Sequence, residues 1–193
     1  MRRSMLAACA VVPALAAAAC GGARTAASAA GPEEDPRRVP PGYVRMQVQD
    51  VISLAEGEAV ILVDAGRTTM LPIFIGGTEA VSIALRLRNH PAPRPLTHDL
   101  LDSVMRQLGG ELVKVQVDRM TAGIFIGSIF VRTATGTRRI DARPSDAIAL
   151  AIGNRAPIYV ARLVLDQSGL KPSQLESTEA SLDAVRTRRA ALR

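Results

Sequence analysis

The sequence predicts an α+β fold, a single domain with a mixed, largely antiparallel sheet and interspersed helices. Three observations predict it. Between positions 43 and 170, runs of strand length alternate with segments whose apolar residues recur at helical spacing. Short turn signals such as Ala122-Gly123 and Thr135-Gly136 join successive strands, as hairpins require. No internal repeat organises these segments.

The elements follow in order. Tyr43 to Ile52 alternates in part, with Val44, Met46 and Val48 on one face, and Ala59 to Val63 is a continuous apolar run; both read as strands. After the turn at Gly66-Arg67, Thr69 to Ile75 reads as a third strand whose Pro72 implies an edge or a bulge. Thr78 is the expected cap of a helix running to Leu87. The proline-rich Pro91 to Pro95 excludes helix interior, and Thr97 is the expected cap of a second helix from His98 to Leu108, ended by Gly109-Gly110. Glu111 to Met120 and Ile124 to Val131 form a hairpin, and Arg138 to Ala142 adds a further strand. Pro144 and Ser145 open an apolar helix that Gly153-Asn154 stops; Ile158 to Val160 is a last short strand, followed by a helical turn through Leu165.

The chain has 193 residues, 48% of them hydrophobic and 22% charged, which excludes wholesale disorder. Aromatics are only 3%, with three Phe, two Tyr and no Trp, so aliphatic side chains must build the core. The net charge of +6 divides as +2 over residues 1–20, zero over 21–42, +2 over 43–170 and +2 over 171–193. A nearly neutral body does not by itself argue for strong electrostatic binding of nucleic acid. Cys9 and Cys20 both precede the body, which leaves it without a disulfide or a thiolate zinc site.

Met1-Arg2-Arg3 followed by the apolar stretch Met5 to Ala19 reads as a secretory leader, too short to span a bilayer comfortably. Ala17-Ala18-Ala19-Cys20-Gly21-Gly22 then resembles a bacterial lipoprotein processing site, although Ala17 stands where a branched apolar residue is usual. The expected chain is therefore a lipoprotein-type signal peptide over 1–20, a tether over 21–42, a folded domain over 43–170 and a charged tail over 171–193. Lipidation of Cys20 would anchor the protein to a membrane of the cell envelope, facing outside the cytoplasm. Ordinary cleavage at an Ala-x-Ala site would release it as a secreted protein.

Phosphate-binding glycine loops, His-Glu-x-x-His and Gly-x-Ser-x-Gly are absent. Two polar clusters carry the chemistry that remains. In Arg94-Pro95-Leu96-Thr97-His98-Asp99-Leu100-Leu101-Asp102, helical spacing lets His98 meet Asp102, so His98 can serve as a general base or a metal ligand. The same residues are also accounted for as a capping network, with Asp99 against the helix dipole. In Ile140-Asp141-Ala142-Arg143-Pro144-Ser145-Asp146, a strand end feeds a helix start suited to an anion. There Arg143 offers a planar fork for phosphate, and Asp141 and Asp146 are candidate ligands for magnesium or manganese. The structural counterpart has Ser145 as cap, Asp146 as dipole partner and Arg143 bridging the two carboxylates. Glu79, explained by helix electrostatics, ranks below the aspartates.

Four ordered stretches together resemble the bifunctional nuclease family, also called the domain of unknown function 151 group. They are Leu71-Pro72-Ile73-Phe74-Ile75-Gly76 with Glu79-Ala80, Arg94 to Leu101, Asp141 to Ala151, and Ala156-Pro157-Ile158-Tyr159-Val160. The resemblance covers roughly Val44 to Gly169 and implies hydrolysis of phosphodiester bonds in RNA and DNA. It makes His98, Asp99, Asp141 and Asp146 the catalytic candidates and Arg94, Arg143 and Ser145 the substrate-binding ones. A metal held by Asp141 and Asp146, or a metal-free route with His98 as base, would each serve. The alternative is a non-enzymatic envelope binding or assembly module, a homo-oligomer included, whose polar motifs are caps and subunit contacts. A third reading has a small anion bound at the Ser145 helix start.

Overall fold

The computed structural model describes residues 35, 38–54 and 57–174. The expected leader with Cys20, most of the tether and most of the 171–193 tail lie outside the described residues. Among the described residues, the main strands and helices follow in the order β1 (Tyr43–Leu54), β2 (Gly57–Asp64), β3 (Met70–Ile75), α1 (Gly77–Leu87), α2 (Thr97–Gln107), β4 (Glu111–Thr121), β5 (Ile124–Thr133), β6 (Gly136–Ala142), α3 (Pro144–Asn154), β7 (Ile158–Ala161) and α4 (Arg162–Ser168). The strands form one sheet in the order β3-β2-β1-β7-β4-β5-β6. Every pairing is antiparallel except β4 with β7, so the α+β class and the mixed sheet are as the sequence predicts.

Pro72 cannot donate to a ladder on both sides, and β3 is accordingly an edge strand that pairs only with β2, apart from one bridge from Met70 to Leu170. The β4–β5 hairpin turns through Ala122 and Gly123, both at positive φ (51° and 78°), as a two-residue turn demands. Aliphatic residues make the core: Val60 and Leu62 of β2, Leu71 and Ile73 of β3, Ile83 of α1, Val115 and Val117 of β4 and Ile148 and Leu150 of α3 are all buried. The alternate residues of β2, Ala59, Ile61 and Val63, join a smaller cluster with Met70, so this strand is buried on both faces.

α3 is the central helix. It packs against α1, α2, β4 and β5, and Ala147 through Ala151 are each at most 1% exposed. A helix with an apolar middle on all sides must be enclosed, and only its two ends, Asp146 at the amino end and Ile152 to Asn154 at the carboxyl end, reach solvent. Arg155 in left-handed conformation (φ 54°) ends it.

Asp118 of β4 ties the sheet together on its polar side. It accepts hydrogen bonds from Tyr43 Oη at 2.8 Å, Ser128 Oγ at 2.6 Å and Arg139 Nη2 at 2.8 Å. Burial, then the Asp118 carboxylate, push the Tyr43 phenol up to about 12, and burial raises that of Tyr159 as well. These are the chain's two tyrosines. An absorbance titration of the folded protein should therefore show no tyrosine ionising at the usual 10.0. Because the folded values are raised, the stability they contribute is full below pH 10 and lost as pH climbs toward the folded values. A phenolate transition at pH 10 without unfolding would contradict this placement.

Candidate functional site

Three helices begin at one place, and each carries an acid at its third position: Glu79 in α1, Asp99 in α2 and Asp146 in α3. The expected caps are corrected here. Gly76, Leu96 and Arg143 precede the helices in extended conformation, and Thr78, Thr97 and Ser145 lie inside them without capping side-chain bonds. Asp99 does the work expected of Thr97, accepting the Leu96 amide at 2.8 Å. At α1, a side chain on Gly76 would collide with the Glu79 carboxylate, so glycine there lets Glu79 fold back over the helix start.

The three amino ends line a hollow of about 920 Å³, with Gly77, Thr78 and Glu79 from α1, Leu96 just before α2, Thr97 and His98 from α2, and Arg143 and Asp146 at α3. Arg143 bridges it. Its Nε and Nη2 donate to Asp146 at 2.8 and 2.9 Å, and Nη2 also donates to Glu79 at 2.7 Å. These bonds raise the basicity of the guanidinium further, so it is a permanent cation. Glu79 is held below the usual glutamate value by the Thr78 hydroxyl, which donates at 2.8 Å, then by its own amide and by Arg143.

His98 is 6% exposed, with Nδ1 2.9 Å from Ser82 Oγ and Nε2 3.2 Å from Asp146 Oδ1. In the neutral tautomer whose Nε2–H donates to Asp146, Nδ1 accepts the Ser82 hydroxyl proton. The His98–Asp102 pairing allowed by helical spacing does not form. Asp102 turns the other way and accepts from Arg86 Nη1 at 2.8 Å and Asn154 Nδ2 at 2.7 Å, while Arg86 Nη2 donates to Asp99 at 2.7 Å. Arg86 Nη1 also reaches the Ala149 carbonyl at 2.9 Å.

The structure thus brings His98, Arg143 and Asp146 together and adds Glu79, which the sequence ranked low, and Ser82, which it missed. Arg143 bridges Glu79 and Asp146 rather than two aspartates. Asp99 stands behind the hollow on Arg86. Asp141 is exposed on β6 and Arg94 is exposed in the loop before α2; neither lines the hollow. Ser145 is buried, 7% exposed. Among the described residues no trio of His, Cys, Asp or Glu is disposed to hold a metal ion, and no helix is long and apolar enough to cross a membrane.

Comparison with known proteins bears on this geometry. A model of the bifunctional nuclease domain matches residues 60–173, the stretch that contains all three helix starts. An uncharacterized protein of Mycobacterium tuberculosis is 40% identical over 128 residues, 66% of this chain and 75% of that protein. Bifunctional nuclease 1 of Oryza sativa subsp. indica is 26% identical over 124 residues, covering 63% of this chain and 38% of the plant protein. Bifunctional nuclease 2 of Oryza sativa subsp. japonica is 25% identical over 129 residues, 65% and 40% of the two chains.

Proposed function

The chain belongs to the bifunctional nuclease domain family, and from that membership we propose that it hydrolyses phosphodiester bonds of RNA and DNA in the hollow where α1, α2 and α3 begin. One observation carries the reading: three positive helix ends and an exposed guanidinium converge on a single hollow. Backbone amides and the dipole at each end favour an anion there. The Arg143 side chain, 67% exposed, can exchange its carboxylates for phosphate oxygens.

When Arg143 turns to the phosphate, Asp146 and Glu79 face the attacking water. Asp146 takes the water proton as the new oxygen–phosphorus bond forms, and the bond to the leaving sugar oxygen breaks, that oxygen taking a proton from solvent. Arg143 and the helix amides offset the charge that develops on phosphorus. His98 acts through Asp146, orienting the carboxylate from Nε2, while Ser82 fixes the tautomer. Asp99 positions α2. A magnesium or manganese ion, when bound, would be held by Glu79 and Asp146, once Arg143 has left them, and would supply Lewis-acid stabilisation of the phosphate oxygens. Asp141 and Arg94, outside the hollow, are left for contacts with longer substrates. With the leader expected over 1–20, the substrate is nucleic acid outside the cytoplasm, met by a protein anchored at Cys20 or secreted.

The test is cleavage of single-stranded RNA and single-stranded DNA by the purified leaderless chain, with and without chelator. Cleavage of both is expected. Activity that survives chelation removes the ion from the mechanism, and no cleavage under either condition overturns the reading. A second reading, an assembly module, is favoured by the apolar stripe that α2 exposes at Leu100, Leu101, Val104 and Leu108. It predicts an inert protein whose oligomer dissociates when that stripe is made polar.

A further inference from the structure

A second hollow of about 660 Å³ adjoins the first, and the two share Ser82, Pro95 and Leu96 as a dividing wall. Its chemistry differs from that of its neighbour. Arginines and acids both line it: Arg86 pairs with Asp99 and Asp102, while Arg106 near the end of α2 and Arg155 just past α3 are exposed. Neither forms an ion pair or a side-chain hydrogen bond among the described residues, in contrast to Arg143 and Arg86, which are each held by two carboxylates. At its floor lies Arg86, 10% exposed, whose Nε has no hydrogen-bond partner. Leu85, Pro91 and Ile152 give the hollow apolar wall as well.

An apolar wall beside two uncommitted guanidinium groups suits a nucleotide, with base and sugar on the wall and phosphate on the cations. Resting on the nuclease reading above, we infer that this second hollow receives the nucleotide next to the scissile phosphate, with Arg106 and Arg155 on its phosphate. The dividing wall selects the substrate class. Successive nucleotides must part over Pro95 and Leu96 to enter the two hollows, which a single strand does readily and a stacked, paired duplex does not. The site is therefore built for single strands, RNA or DNA.

Two measurements test this on the leaderless protein. The first is the salt dependence of binding to a short phosphorothioate single strand, which keeps its charge and resists cleavage. Each phosphate contact on a single strand contributes a slope of about 0.7 in log K against log salt. The double variant Arg106→Gln/Arg155→Gln should lose about 0.7 of that slope, the share of the one phosphate the two side chains hold, whereas Arg138→Gln, an exposed arginine on β6 outside both hollows, should leave it unchanged. The second is turnover of bis(p-nitrophenyl) phosphate, a diester small enough for the first hollow alone. The double variant should raise KM for an oligonucleotide and leave turnover of the small diester as in the wild type.

A wild type that binds and cleaves single strands, paired with a double variant of unchanged slope and KM, overturns the second subsite and leaves the nuclease reading standing. So does a duplex bound as tightly as a single strand of the same sequence. A wild type that neither binds nor cleaves any strand overturns both.

Discussion

An Asp146→Asn variant is expected to cleave a single-stranded oligonucleotide about 10²–10⁴-fold more slowly than the wild type, the usual worth of a positioned general base. Asparagine keeps the shape and can still accept from His98 Nε2 at the position of Oδ1. It has no charge with which to take a proton, and its amide nitrogen meets the Arg143 Nε donor where Oδ2 accepts at 2.8 Å. The melting temperature should move little, because Asp146 and Arg143 are 27% and 67% exposed and such pairs contribute about 0–1 kcal/mol. Initial rates set beside thermal melts make the comparison. Wild-type rates in this variant would take Asp146 out of the reaction.

Arg86→Met is expected to act in the opposite manner, through the fold. It removes the cation that faces Asp102, and the two side chains are 10% and 8% exposed. Leaving one member of a buried pair unmatched costs about 3–5 kcal/mol. A side chain at Gly153 would collide with Arg86 Nη1 and come within 2.9 Å of Asp102 Oδ2. Gly153→Ala should therefore destabilise by the same route, and the two substitutions combined should cost less than their sum, since the second removes an interaction already lost. Urea denaturation of the two single variants and the double variant reads this directly. Full additivity, or near wild-type stability in either single variant, would contradict the network.

Local chemistry explains what could be read from the chain. Turn residues, alternation and Pro72 marked every strand, and the starts of α1, α2 and α3 were placed within two residues, the ordinary uncertainty of element ends. Apolar periodicity marked α3 as a helix without revealing that it lies at the centre. The site was legible only in part, because its pairings are remote in sequence. Arg143 and Glu79 are 64 residues apart, and His98 and Asp146 are 48 apart. Helical spacing offered His98 a partner four residues away, and tertiary packing turned Asp102 to Arg86 instead. Glu79 looked sufficiently explained by its own helix because nothing local signals that three helix starts meet. Ser82 sits among apolar residues in α1, where a serine carries no motif.

The last strand among the described residues occupies the middle of the sheet. Among the described residues, β7, at Ile158–Ala161, is the one strand that joins the β1–β3 meander to the β4–β6 meander. During synthesis both halves therefore emerge from the ribosome as separate three-stranded sheets, each with one long unpaired border, on β1 and on β4. Until some 160 residues have been made, those borders are open to pairing with other nascent chains. Four residues close both at once, so a premature stop ahead of Ile158 should yield insoluble product rather than a shortened, folded protein.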